Sequence, residues 1–136
     1  MARILVVDDD AGVRAALSEL LRHHGHAVEM ASDGESGVEM FQRRAPDLSI
    51  LDLTLPVING VQTFERIRQH DSSALAIFLT AFGTIRSAVE AIRIGGFDFL
   101  TKPFDNDELI VTIDRALKFR QLTFGFQQPH IQFPAG

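Results

Sequence analysis

Four short apolar runs in this chain stop at residues that can do chemistry. Ile4-Leu5-Val6-Val7 runs into Asp8, Asp9 and Asp10, and Leu48-Ser49-Ile50-Leu51 into Asp52. Ile77-Phe78-Leu79 runs into Thr80, and Phe97-Asp98-Phe99-Leu100-Thr101 into Lys102. An apolar run that ends at a polar residue and then a turn signal, such as Asn59-Gly60 beyond Asp52, reads as a buried strand delivering a side chain to a sheet edge. If the four ends meet, Asp8, Asp9 and Asp52, with Asp10 adjacent, share a pocket with an ammonium group and a hydroxyl. Carboxylates so placed repel, and either one keeps its proton or a cation is bound. A donor set of oxygens without His or Cys selects a hard ion, best matched by Mg2+. A carboxylate nucleophile, Mg2+, Lys and Thr together suit transfer of a phosphoryl group to an aspartate.

The elements between these ends follow from periodicity. Val13, Ala16, Leu17, Leu20 and Leu21 form a helical stripe after Asp10, which can cap that helix, and Gly25 ends it. Ala27–Ala31 is a second strand and Asp33-Gly34 a turn. A helix over Ser36–Arg43 turns Val38 and Phe41 inward, and Pro46 closes the next loop. Val61, Phe64 and Ile67 mark a third helix. Ile85, Ala88, Val89 and Ile92 mark a fourth, stopped by Gly95-Gly96. Asp105 or Asn106 caps a last helix with the stripe Leu109, Ile113, Ala116 and Leu117. Five strands alternating with five helices imply parallel strands, right-handed crossovers and helices on both faces. A ligand site in such a sheet lies beyond the carboxyl ends of the strands, where the strand order reverses. That is where all the reactive residues fall.

Bulk properties narrow the class. A chain of 136 residues, 46% hydrophobic and 23% charged, suits one globular domain with a full core. There is no cysteine, which removes disulfides and thiolate metal sites. A net charge of −5 supplies no broad attraction to nucleic acid. No apolar run approaches a membrane span, and the start lacks a signal-peptide layout, so the expected location is cytoplasmic. The domain is expected over 1–120. The tail 121–136, with Pro129 and Pro134, shows no helical stripe and reads as a linker or extension.

Val6-Val7-Asp8-Asp9-Asp10, Leu51-Asp52, Pro56 with Asn59-Gly60, Leu79-Thr80-Ala81 and Thr101-Lys102-Pro103-Phe104 together resemble the receiver domain of bacterial two-component response regulators. The resemblance covers residues 3 to about 120. It implies a flavodoxin-like sheet of order 2-1-3-4-5. It implies Asp52 as phospho-acceptor from a sensor histidine kinase, and Mg2+ held by Asp9, Asp52 and the Thr54 carbonyl, with Asp8 acting through water. It further implies Lys102 on the phosphoryl group and a switch in which Thr80 moves and the aromatic Phe99 turns inward. The Lys102-Pro103 bond is often cis in the family. The run from Thr80 to Val89, with Gly95 to Leu100, is most similar to receivers of enhancer-binding transcription activators. Such a domain is a switch, not a turnover enzyme. Its fourth helix, fifth strand and fifth helix form the output or homodimer face, and it makes no direct contact with nucleic acid or membrane.

Two departures from the family pattern stand out. Phe99 has no hydroxyl, so switching rests on packing alone. Thr54 and Phe82 occupy the positions that tune attack by water, and bulky Phe82 is expected to shield the phospho-aspartate. A runner-up is a haloacid-dehalogenase-type phosphatase, with Asp8 as nucleophile, Asp10 as general acid, and Thr80 and Lys102 as phosphate ligands. It leaves Asp52 unexplained, and Asp105-Asn106-Asp107 lies too close to Lys102 to supply its second acidic pair. A flavin-binding flavodoxin fails because three acids follow the first strand where a phosphate cradle needs Ser, Thr or Gly. His23, His24 and His26 suit a helix end better than a metal. Arg86, Arg93, Arg115, Lys118 and Arg120 are expected to line a basic face around the last two helices.

Overall fold

The structure, a computed structural model, describes residues 2–81 and 85–127. Its elements alternate: β1 (Arg3–Val7), α1 (Ala11–His23), β2 (Ala27–Ala31), α2 (Gly34–Arg44), β3 (Leu48–Asp52), α3 (Gly60–His70), β4 (Ala76–Thr80), α4 (Ile85–Arg93), β5 (Asp98–Thr101) and α5 (Asn106–Gln127). All strand pairs are parallel, in the order β2-β1-β3-β4-β5. This is the flavodoxin-like order expected, with β1 and β3 side by side at the reversal.

Alternation along each strand divides the core. Ile4, Val6, Leu48, Ile50, Ile77 and Leu79 face Leu17 and Leu21 of α1 and Leu109, Ile113 and Ala116 of α5. Leu5, Val7, Leu51 and Phe78 face Phe41 of α2, Phe64 and Ile67 of α3 and Ala91 of α4. Phe64 and Phe78, both fully buried, meet edge to face at 5.6 Å. Each side chain of this kind contributes about 2–3 kcal/mol by leaving water. The sheet is thus a rigid plate, and its strand ends are held in fixed relation.

Local signals set the element ends. The Asp10 carboxylate accepts from the N–H groups of Gly12 and Val13, and Asp33 caps α2 through Ser36. Asn59 and Gln62 form a reciprocal capping box at α3. Gly60 cannot be replaced by a larger residue without displacement, because a Cβ there would overlap the Asp52 carbonyl oxygen. The start of α3 is therefore packed directly onto the acceptor strand.

Four expectations need correction. Ala16 is exposed, and Ser18 is buried on α1 in its place. Val89 (50% exposed) and Ile92 (44%) point outward from α4, which buries Ala88 and Ala91. The tail expected to be irregular from 121 instead continues α5 to Gln127, since no proline interrupts that stretch. Arg120 does not join a common basic face: it is half buried and pairs with Asp47 at 3.4 Å. Phe82 and the tail beyond 127 lie outside the described residues.

Val57 adopts φ 69° in the loop after β3, with 89% of its surface exposed. A β-branched side chain in this left-handed region is strained by about 1–2 kcal/mol. Val57→Gly is expected to raise stability by about 0.5–1 kcal/mol, the relief being partly offset by the entropy of glycine in the unfolded chain. A shifted urea midpoint at constant slope is the readout.

Candidate functional site

The carboxyl ends of β1, β3, β4 and β5 bring Asp8, Asp52, Thr80 and Lys102 together as expected. One carboxylate oxygen from each of Asp8, Asp9 and Asp52 lies within 4.8 Å of the others. The Lys102 ammonium donates to Asp8 Oδ2 at 2.7 Å and to Asp52 Oδ2 at 3.4 Å. Asp8 and Asp52 are almost fully buried, while Asp9 is exposed. Two acids from separate strands therefore share one cation under low solvent access, and a third opens the cluster to water.

Backbone register explains how the groups arrive. Val7 pairs with Leu51 across β1 and β3, and Asp52 with Leu79 across β3 and β4. Thr80 pairs with Thr101, and the Thr80 carbonyl accepts the Lys102 N–H at 2.7 Å. The Lys102-Pro103 peptide is cis, as the resemblance implied. Thr80 is buried and Phe99, in register with Phe78, is half buried against the core.

Thr54 does more than sequence reasoning assigned to it. Its N–H and its hydroxyl both donate to Asp52 Oδ1, each at 3.0 Å. These bonds orient the Asp52 carboxylate and leave Oδ2 beside Lys102. The Asp10 N–H donates to Asp8 Oδ1 at 2.9 Å. Asp10 is otherwise occupied in capping α1. The Arg14 guanidinium donates to the Asp8 carbonyl at 2.6 Å; no sequence motif had pointed to it.

Burial pushes the Asp8 carboxyl above its ordinary range; Asp52's charge adds to that, and hydrogen bonds from Lys102 and Asp10 only partly offset it. Burial alone would lower the Lys102 ammonium. The Asp8 hydrogen bond and the Asp52 and Asp8 charges outweigh it and hold Lys102 above its ordinary value. The site as folded is short of positive charge. Its oxygen donors fit a hard divalent ion, and among the described residues no other cluster of three His, Cys, Asp or Glu side chains could hold a metal. The clustered histidines make other contacts: His24 Nδ1 contacts the Leu20 carbonyl, and His26 Nδ1 accepts the Ala2 N–H.

A shallow groove lined by Asp10, Gly12, Val13, Ala81, Lys102 and Phe104 runs beside these groups. A second hollow, between Arg68, Ser73, Phe119 and Arg120, lies by Ala74 and Leu75, at the opposite end of β4.

The family model described as the response regulator receiver domain matches residues 4–114. The regulatory protein AtoC of Escherichia coli (strain K12) is 35% identical over 120 residues, 88% of this chain and 26% of AtoC. The chemotaxis protein CheY of Bacillus subtilis (strain 168) is 34% identical over 116 residues, 85% of this chain and 97% of CheY. The crystal structure of NtrX from Brucella abortus in complex with ATP is similar with a TM-score of 0.89 at 32% identity, covering 97% of this chain and 30% of NtrX. The chain thus spans less than a third of AtoC and of NtrX, but nearly the whole of CheY.

Proposed function

The chain belongs to the response regulator receiver domain family, and on that premise we propose that Asp52 takes a phosphoryl group from the phosphohistidine of a sensor histidine kinase. The observation that carries this reading is the meeting of the Asp8, Asp9 and Asp52 carboxylates, with the Lys102 ammonium on Asp8 and Asp52. An Asp52 oxygen attacks phosphorus, the phosphorus–nitrogen bond to the donor imidazole breaks, and the imidazole nitrogen recovers a proton. Thr54 holds the attacking carboxylate in place. Lys102 neutralises charge on the transferred oxygens, and Thr80 donates a hydrogen bond to them. Asp9, Asp52 and the Thr54 carbonyl would hold Mg2+, with Asp8 assisting through water. Bound there, the ion would supply charge neutralisation for the phosphoryl oxygens.

Phosphorylation draws Thr80 inward and lets Phe99 follow by packing alone, which alters the face of α4, β5 and α5. Exposed Val89, Ile92 and Phe119 beside Arg86, Arg93 and Arg115 give that face apolar and basic character suited to a homodimer or an output partner. The residues 1–120 act as the receiver, and 121–136 as its connection. The output is transcription, through a separate domain or partner, and this domain itself does not touch nucleic acid. No helix among the described residues is long and apolar enough to cross a membrane, and a cytoplasmic location agrees with a kinase donor.

Acetyl phosphate replaces the kinase in the test. With Mg2+, intact-mass spectrometry is expected to show one phosphoryl group per chain; with excess EDTA, at least a hundredfold less, as expected when the only divalent charge in a phosphoryl-transfer site is removed. Sustained hydrolysis of small phosphate esters would instead favour a turnover phosphatase.

A further inference from the structure

We propose that Arg14 is a positioning residue for the cation site, clamping the turn that presents Asp8 and Asp9. The inference rests on the assignment of that site to Mg2+. Residues 8–10 lie between the end of β1 and the start of α1. The carbonyl of residue 8 belongs to the peptide that leads into Asp9, so whatever fixes that carbonyl fixes where Asp9 begins. Arg14 Nη1 fixes it, with a charge-assisted bond of 2.6 Å. The Arg14 backbone N–H donates to the Asp10 carbonyl at 3.0 Å. One residue thereby ties both ends of the turn to the first turns of α1.

The placement has no other evident benefit. A cation near the amino end of a helix opposes the helix dipole, and the acid at that end of α1, Asp10 at the N-cap, is spent on the N–H groups of Gly12 and Val13. Among the described residues Arg14 makes no ion pair with Asp8, Asp9 or Asp52. Its charge is aimed at a carbonyl, not at the carboxylates. Asp9 is exposed, and its carboxylate, unlike those of Asp8 and Asp52, is not tied to Lys102. Its position therefore depends on the backbone beneath it. Two effects oppose each other: the guanidinium charge repels a divalent ion, and the clamp preorganises its ligands. Arg14 is only half buried, so solvent and salt screen the repulsion, and the clamp dominates.

Calorimetric titration of the whole chain with Mg2+ tests this without any phosphoryl transfer. Arg14→Met is expected to weaken Mg2+ binding about 10- to 100-fold, the usual consequence of losing a group that orients metal ligands. Arg14→Lys, which keeps a charged donor on a flexible stem, should stay within about threefold of the parent, since a single charge-assisted donor is what the carbonyl needs. Urea midpoints should match the parent for Arg14→Lys and fall for Arg14→Met by no more than the loss of one hydrogen bond, and titration well below the midpoint keeps both variants folded, which separates positioning from general unfolding. Should Arg14→Met not fold, Arg14→Gln, with its donor too short to reach, takes its place with the same expectation. Mg2+ affinity in Arg14→Met or Arg14→Gln equal to or tighter than the parent's would overturn the clamp, as would an equal loss in Arg14→Lys. A parent chain that binds Mg2+ yet takes no phosphoryl group from acetyl phosphate would sink the proposed function and leave the clamp standing.

Discussion

Asp52→Asn is expected to abolish covalent phosphorylation by acetyl phosphate, with a loss of more than about 10³-fold, because an amide is not a carboxylate nucleophile. The fold should survive intact. The amide oxygen can keep both hydrogen bonds that Thr54 donates to Oδ1. The substitution removes one of the charges that raise the Asp8 carboxyl but also the Oδ2 partner of Lys102, and the two changes oppose each other, so the melting temperature should change little. Phosphorylation read by intact mass and stability read by thermal denaturation separate the two effects. Undiminished labelling in this variant would place the acceptor elsewhere.

Lys102→Met is expected to act in two directions at once. Without its ammonium the site carries one positive charge fewer among Asp8, Asp9 and Asp52, and Mg2+ should bind about 10- to 100-fold more tightly, a Coulomb gain of roughly 1–3 kcal/mol for a partly wet site. Phosphoryl uptake should nevertheless slow by about 10- to 100-fold, less than the 10²–10³ seen in fully dry sites, because the Lys102 side chain is 18% exposed. Without Mg2+ the fold should lose about 2 kcal/mol near neutral pH, short of the cost of breaking a fully buried pair. The sign of its pH dependence follows from the Asp8 carboxyl, already raised in the folded state and pushed further when its cation is gone. A raised carboxyl stabilises the fold below its unfolded value and loses that contribution as pH rises through the folded one. The variant should therefore be closer to the parent at pH 5 than at pH 8, measured by urea denaturation. Weaker Mg2+ binding, or a larger deficit at low pH, would contradict this charge arrangement.

Much of this was legible in the residues themselves. Strands buried on both faces write themselves as unbroken apolar runs, and the polar residue that ends each run marks the sheet edge. Asp8, Asp52, Thr80 and Lys102 were found in that way. What periodicity does not reveal is how a helix rolls on the sheet. Val89 and Ile92 obey helical spacing as well as Ala88 does, yet the close approach of α4 favours the small Ala88 and Ala91 inside. Ala16 lost its place in the core to the same ambiguity. Arg14 was invisible because its partner is a backbone carbonyl, and no side-chain pattern records a carbonyl. The Thr54 hydroxyl was missed for a related reason: its bond to Asp52 is a product of the turn geometry after β3.

The central claim is that the acid at the end of the middle strand, and no other, receives the phosphoryl group. After treatment with acetyl phosphate and Mg2+, borohydride reduction of the acyl phosphate and tandem mass spectrometry locate the modified residue. Modification confined to Asp52 is the expected result. Modification at Asp8, or at a hydroxyl such as Thr80, would contradict it.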